Sequence, residues 1–443
     1  MLGSCPQRAV MNSRAIVTGN SQSILIIRDG SFSSRLHRCR FETTVGSIGR
    51  KSRPSLSSRS LTTTERSQRM TKNEYTPEEV SPPGESLVET LDAIGMTQSE
   101  LAQRTGRPLK TINEIIQGKA AITAETALQL ERVLGVPASF WNNREAQYRE
   151  AIARRARKAE LAKHVDRLAE IPYNSMVKVG WVRSARDPVE KLENVLSFFG
   201  VASVPALDNL VSAAQFRRSN AYIANRFAIL AWLRQGRIVA EKIRCAAYDE
   251  AEFKRVLQAV RALTVTLPSG FDSQLVKMCA RAGVAVVFTR ELPRTHVSGA
   301  ARWLTPEKAI IQITLRYKTD DQFWFTFFHE AAHVLLHGKR EGVFIDKNDP
   351  MTDADEVIID GATELHDETM EQEANKWASN ILIPPSELTN LRRPLSKPAI
   401  IAFASRIGVS PGIVVGRLQH DGLLPFTHMH DLKRKLLWAE DTA

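Results

Sequence analysis

His329 and His333 stand four residues apart in "FFHEAAHVLLHG" (327–338), with Glu330 beside the first and His337 a further four residues on. Residues four apart on a helix lie one turn above each other on one face. Two imidazoles so placed can hold one Zn²⁺ from the same side, and the adjacent Glu330 carboxylate can take a proton from the attacking water. Burying four ionisable groups in an otherwise apolar helix is unfavourable, and a bound cation offsets it. A zinc site of this kind needs a third protein donor and keeps a fourth position for water. "VLLHG" follows His333, so the H-x-x-G-x-x-H continuation that would supply a third histidine is absent.

The third donor is expected in "ETMEQEANKWASNILIP" (368–384). Read as a helix, Glu371, Ala374, Asn375, Ala378 and Leu382 form one stripe. Its small alanines allow close approach to a neighbouring helix. Glu371 is the carboxylate on that face and is assigned as the third ligand, with Asn375 orienting a ligand from behind and Glu373 as the fallback. His337 lies on the ligand face, but one helix cannot easily bring three successive turns to one ion. It is therefore expected to support the site from the helix end rather than to bind the metal.

The elements around these residues follow from period and punctuation. "VAVVF" (284–288) and "AIIQITL" (309–315) are β-branched runs of strand length. The second could hold an extended substrate by edge pairing. Upstream the pattern is helical: "SLVETLDAIG", "TQSELAQRTG" and "LKTINEIIQG" each end at a glycine, which suits a helix terminus. "TAETALQLERVLG" (123–135) begins at a threonine cap, and a long charged helix follows over about 143–169.

"TQSELAQRTGRPLKTINEIIQG" (97–118) reads as two short helices around a turn at Gly106, packed through Leu101, Ala102, Ile112, Ile115 and Ile116. Such a pair can bind double-stranded DNA. Gln98 can reach a phosphate, Lys110 and Asn113 can reach base edges, and Arg107 stands near the start of the second helix. Pro108 and Leu109 occupy positions where polar base-reading residues are common.

Composition bounds the rest. At 443 residues, 43% hydrophobic and 25% charged, the chain has room for two to four globular domains. It holds no apolar run of membrane-spanning length, so no membrane association is expected. Its four cysteines form no C-x-x-C pair, which fits a reducing cytoplasm. Residues 1–69 carry 11 Arg and one Lys against three acids, which accounts for nearly all of the formal +11. This leader shows no sustained period beyond "SILII" (23–27), and Met70 opens an ordinary-looking start. It reads as residues upstream of a true start at Met70, as a disordered basic tail, or as a targeting peptide. Its removal is expected to leave stability unchanged.

Two resemblances add to this reading. "GVAVVF", "GAARWL", "IIQITLRYKTDDQFWFTFFHEAAHVLLHG" and "EQEANKWASNILIP" resemble the ImmA/IrrE family of zinc metallopeptidases over about residues 270–390. That resemblance implies limited proteolysis of DNA-binding repressors, with zinc held at His329, His333 and Glu371. Residues 83–143 are similar to the Cro/C1-type (XRE) domain, in particular its HigA-like antitoxin version.

The expected fold is α+β and mostly helical: an N-terminal all-α, lambda-repressor-like helix-turn-helix domain, a helical middle domain, and a zincin-like peptidase domain with a small sheet. The expected boundaries are a leader over 1–69, a linker over 70–83, the DNA-binding domain over 84–145, the middle domain over 146–265, the peptidase-like domain over 266–390 and a C-terminal helical extension over 391–443. The expected function is a cytoplasmic transcriptional regulator, with a homodimer in prospect, that binds an operator and cuts a partner such as a repressor. The alternatives are an antitoxin-type autorepressor that binds a toxin without turnover, and a regulator whose zinc is structural or sensory. An intact Glu330 favours turnover, since a structural site does not need it.

Overall fold

The computed structural model describes residues 24–27, 81–213, 223–293, 295–338, 343–346, 364–389 and 395–442. The chain divides into two compact units, one over 32–162 and one formed by 1–31 with 163–443. It is mostly helical, with a small sheet in the second unit. Among the described residues no single helix is long and apolar enough to cross a membrane.

The first unit consists of α1 (Pro83–Ile94), α2 (Gln98–Thr105), α3 (Leu109–Ile116), α4 (Ala124–Leu134) and α5 (Ala138–Ala162). Thr97 caps α2 and Thr123 caps α4 through their side-chain oxygens, which take up helix-end N–H groups that have no partner within the helix. Leu87, Leu91, Leu101, Ile112, Ile115, Leu130 and Trp141 close one apolar core. The predicted contacts of Leu101, Ala102, Ile112 and Ile115 all lie in it, and Ile116 packs at its margin.

The second unit begins its helical part with α6 (Tyr173–Lys178), α7 (Pro188–Phe199), α8 (Val204–Ala213) and α9 (Ile223–Lys242). There follow α10 (Glu250–Thr266), α11 (Phe271–Arg281), β2 (Val284–Phe288), β3 (Gly299–Thr305), β4 (Lys308–Ile313) and α12 (Asp320–Leu336). The chain continues through β5 (Val343–Asp346), α13 (Glu364–Leu382), α14 (Pro385–Leu388), α15 (Lys397–Ile407), α16 (Pro411–His420) and β6 (Lys435–Trp438). The four-stranded sheet runs β2-β4-β3-β5, with β2 parallel to β4 and β3 antiparallel to both its neighbours. β2 and β4 are buried on both faces, which is why β2 reads as an unbroken apolar run and β4 is interrupted, after Lys308, only by the buried Gln312. One face, including Val284, Val286, Ala301 and Ile311, joins the core that holds α12. The other packs Ala285, Val287 and Ile310 against Ala240 of α9.

Three expectations need correction. The boundaries at 265 and 390 separate no cores, because one cluster runs from Phe253 of α10 to Trp438 of β6 and includes the sheet and α12. The C-terminal segment is thus part of the domain that carries the histidines. The strand "AIIQITL" cannot take an extended substrate at its edge, since β4 lies between β2 and β3 with both edges paired. The leader contributes an element: Ile24–Ile27 forms β1, which pairs antiparallel with β6 in the register Ile24 to Trp438 through Ile27 to Lys435. Its apolar run supplies the backbone partners that an edge strand lacks. The remaining leader and linker residues up to Val80 lie outside the described residues.

The C-terminal segment fixes the start of α12. Asp320 is fully buried there; it accepts hydrogen bonds from the Ser410 hydroxyl at 3.0 Å and the Arg434 N–H at 2.9 Å, and its own N–H donates to the Arg434 carbonyl. Asp321 pairs with Lys433 at 2.6 Å. α16 approaches closely because it has Gly412 and Gly416 facing these carboxylates; a Cβ at either would stand 2.5 Å from a carboxylate oxygen. Burial, reinforced by the neighbouring Asp321 charge, pushes the Asp320 carboxyl up to about 6.

Two outcomes follow. A carboxyl with a folded-state pKa raised above its unfolded value contributes stability in its protonated form below about pH 4, and that contribution is lost as pH rises to about 6. Two pH units correspond to roughly 3 kcal/mol at most. Asp320→Asn should therefore flatten the pH dependence of the melting temperature between pH 4 and 6, and an unchanged dependence would show that Asp320 is not its source. A chain beginning at Met70 should melt lower than the full chain by on the order of 1 kcal/mol, from the loss of cross-strand pairs on β6. Equal melting temperatures would show that β1 adds no stability.

Candidate metal centre and nucleic-acid interface

The histidine pair occupies the last turns of α12, where Phe323, Trp324, Phe327, Phe328, Ala331 and Ala332 fill the core on all sides. His329 and Glu330 are fully buried and His333 nearly so. α13 lies against this helix through Ala374, Ala378 and Leu382, all buried, as its small-residue stripe predicts. Arg261 of α10 holds the end of α13 by donating to the Ile381 and Leu382 carbonyls at 2.7 and 3.0 Å.

This packing brings Glu371 onto the two imidazoles. Its carboxylate oxygens stand 3.1 Å from His329 Nε2 and 3.0 Å from His333 Nε2, and the two Nε2 atoms are 3.0 Å apart. Zinc–nitrogen bonds of about 2.0–2.1 Å at tetrahedral angles place neighbouring ligand atoms about 3.3 Å apart, so the separations suit that ion. Among the described residues this is the one cluster of three with such spacing.

Proton positions around the cluster agree with that use. Asn375 Oδ1, 3.0 Å from His329 Nδ1, can only accept. The proton therefore sits on Nδ1 and the Nε2 lone pair faces the cluster. His333 Nδ1 meets His337 Nδ1 at 2.9 Å, and His337 Nε2 faces Glu373 at 3.4 Å. A consistent chain has His337 donate to Glu373 and accept from His333, which again turns the Nε2 lone pair of His333 toward the cluster. His337 and Asn375 thus stand behind the two imidazoles, and Glu373 faces His337 instead of joining the cluster. Burial first, together with the neighbouring imidazoles, pushes His333 down to about 4. Burial opposes ionisation of Glu371, but its contacts with His329 and His333 outweigh this and hold it well below the usual carboxylate range. His333 is thus held neutral and Glu371 anionic, the protonation states that metal binding requires of an imidazole and a carboxylate.

Sequence reasoning missed Gly299. A Cβ at this β3 position would stand 2.5 Å from Glu330 Oε1 and 2.7 Å from the Thr326 methyl. The absence of a side chain is what lets the Glu330 carboxylate lie under the strand. A glycine inside "SGAARWLT" was the available signal, since strand glycines mark close approach. Gly299 pairs with Asp346 of β5, so β5, not β4, is the outer strand on this side of the sheet.

In the first unit, Gln98 opens α2, while Lys110 and Asn113 lie on α3 with Lys110 85% exposed and 3.9 Å from Glu114. Arg107 stands just before α3 and is engaged within the unit. Its Nε donates to Gln129 at 2.5 Å and its guanidinium lies 3.6 Å from Glu125, so it ties the start of α3 to α4. Leu109, the first residue of α3, is exposed.

If the cluster is the metal site, purified protein should hold one zinc per chain, and His329→Ala and Glu371→Ala should each remove it. Asn375→Ala should weaken zinc affinity by about 10- to 100-fold, since it frees the imidazole it orients. Elemental analysis with a chelator titration measures both; full zinc in Glu371→Ala would exclude the third ligand.

Residues 279–419 match the family described as the IrrE N-terminal-like domain, and residues 89–141 match the helix-turn-helix family. No curated protein matches the chain. Among solved structures, it is similar to an addiction module antidote protein of a HigA family from Coxiella burnetii, with 30% identity, covering 19% of this chain and 94% of that one at a TM-score of 0.18. It is also similar to the Pseudomonas aeruginosa antitoxin HigA with higBA promoter, with 29% identity, covering 18% of this chain and 90% of that one at a TM-score of 0.18. The chain thus joins a helix-turn-helix domain of the XRE type to a peptidase-family domain of the ImmA/IrrE type.

Proposed function

We propose that this chain is a DNA-binding regulator whose second unit is a zinc-dependent metallo-endopeptidase that makes a limited cut in a partner protein such as a repressor. The observation that carries the reading is the convergence of His329 Nε2, His333 Nε2 and the Glu371 carboxylate within hydrogen-bonding distance beside the buried Glu330. His329, His333 and Glu371 hold the metal. When bound, Zn²⁺ polarises the scissile carbonyl and makes an attacking water more acidic. Asn375 and His337 keep the two imidazoles in the tautomer that presents Nε2. Glu330 takes the proton of the attacking water and returns it to the leaving amine. Gly299 leaves room for that carboxylate, and the outer strand β5 offers backbone groups near it to an extended chain. In the first unit, Gln98 reaches a phosphate, and Lys110 and Asn113 read base edges.

The two activities should separate. Lys110→Ala with Asn113→Ala should weaken binding to a duplex selected from a random-sequence pool, at roughly 1–3 kcal/mol for each lost base contact, and leave zinc content intact. Glu330→Gln keeps both imidazoles, so it should retain zinc and DNA binding but lose cleavage. Gel-shift titration at fixed salt follows the first activity. Proteomic comparison of cells carrying wild type or Glu330→Gln, searching for a new protein terminus, follows the second. No terminus that depends on Glu330 would remove the peptidase reading, and loss of duplex binding in Glu330→Gln with zinc retained would remove the modular one.

A further inference from the structure

α5 outlasts its core. Ala138, Trp141 and Glu145 bury its first half in the first unit, yet from Ile152 to Glu160 every residue is exposed. Nine exposed residues span about 13 Å of helix. Within them stand Arg154, Arg155, Arg157 and Lys158 against one acid, Glu160.

That pattern opposes the helix that carries it. Arg154 is a helical neighbour of both Arg157 and Lys158, and Arg155 of Lys158, and like charges at these spacings destabilise a helix. Glu150 answers Arg154 at 2.6 Å, but among the described residues no carboxylate lies within ion-pair distance of Arg157 or Lys158. The apolar residues of the stretch, Ile152 and three alanines, are exposed too, so it has no core of its own to hold it, and an external polyanion would relieve the repulsion.

The place where the exposed stretch begins identifies the polyanion. Arg149 donates to the Gly118 carbonyl at 3.4 Å, and the Tyr148 hydroxyl lies so close that a Cβ on Gly118 would stand 2.9 Å from it. Gly118 directly follows the end of α3, whose side chains are the ones placed to read bases. The cations begin at Arg154, five residues or about 7.5 Å of helix beyond the contact that Arg149 makes with the turn after α3, and in such modules the parts flanking the recognition helix meet the DNA backbone. A second copy of the chain fits less well, because a two-fold interface through this face would set cations against cations.

We propose that the exposed half of α5, through Arg154, Arg155, Arg157 and Lys158, is a second DNA-contacting surface that binds backbone phosphates without regard to sequence. This rests on the DNA-binding reading of the first unit. The test uses the full chain and a 30-base-pair duplex of mixed sequence, with affinity measured across a salt series. Each neutralised phosphate contributes about 0.9 to the slope of log affinity against log salt. Arg155→Gln, Arg157→Gln and Lys158→Gln combined should lower that slope by about 2 to 3, with melting temperature unchanged because these side chains touch no core. A charge-matched control on the other unit, Arg237→Gln, Lys254→Gln and Arg255→Gln, should leave the slope as it is. Equal slopes for wild type and the α5 variant overturn the proposal, as does a dimer-to-monomer shift of that variant in sedimentation without DNA, which would assign the face to a second copy. Failure of the wild type to bind the duplex at all would overturn the DNA-binding reading together with this one.

Discussion

The second unit is organised around one costly placement: four ionisable side chains on the last turns of a helix whose other faces are aromatic and aliphatic core. Buried groups of this kind are tolerated only when each has a partner with the right polarity. The sheet, α10, α13 and α16 can all be read as answers to that demand. α13 delivers Glu371 to one side of the imidazoles and Asn375 behind them; Gly299 opens space for Glu330. Arg261 fixes the far end of α13, and Asp320 fixes the near end of α12. The donor atoms then lie at ligand spacing without any of them coming from a loop.

The first unit answers to a different constraint. Its small core of Leu, Ile and Trp side chains holds α2 and α3 at a fixed turn, so that the side chains of α3 not used in packing share one face. Arg107 shows how firmly that turn is held: its guanidinium lies against Gln129 and Glu125 and serves the packing of α3 on α4.

What was legible in the sequence was what depends on local spacing. His329, Glu330 and His333 are joined by one helical turn, and Glu371, Ala374, Asn375 and Ala378 by another, so period alone put each set on a face. The helix-turn-helix core was legible for the same reason. β3 was not, because "GAARWLT" begins with residues of low strand propensity, the first of which, Gly299, makes room for Glu330. The roles of Arg261, Ser410 and Arg434 were illegible too, since each joins residues more than 80 positions apart and has no local period to betray it. The same holds for β1, a four-residue run whose partner strand lies at the opposite end of the chain.

The clasp on Asp320 sets an order of assembly. The helix that carries the histidines is made long before its N-terminal carboxylates can find Ser410, Lys433 and Arg434. Until those residues are made, Asp320 and Asp321 lack these partners, and α12 is held through its apolar side chains against the sheet, α10 and α11. Residues 433–438 supply both the strand that completes the core and the groups that clasp Asp320 and Asp321. A chain that stops short of them would therefore carry His329, Glu330, His333 and Glu371 and yet lack the clasp on the start of α12.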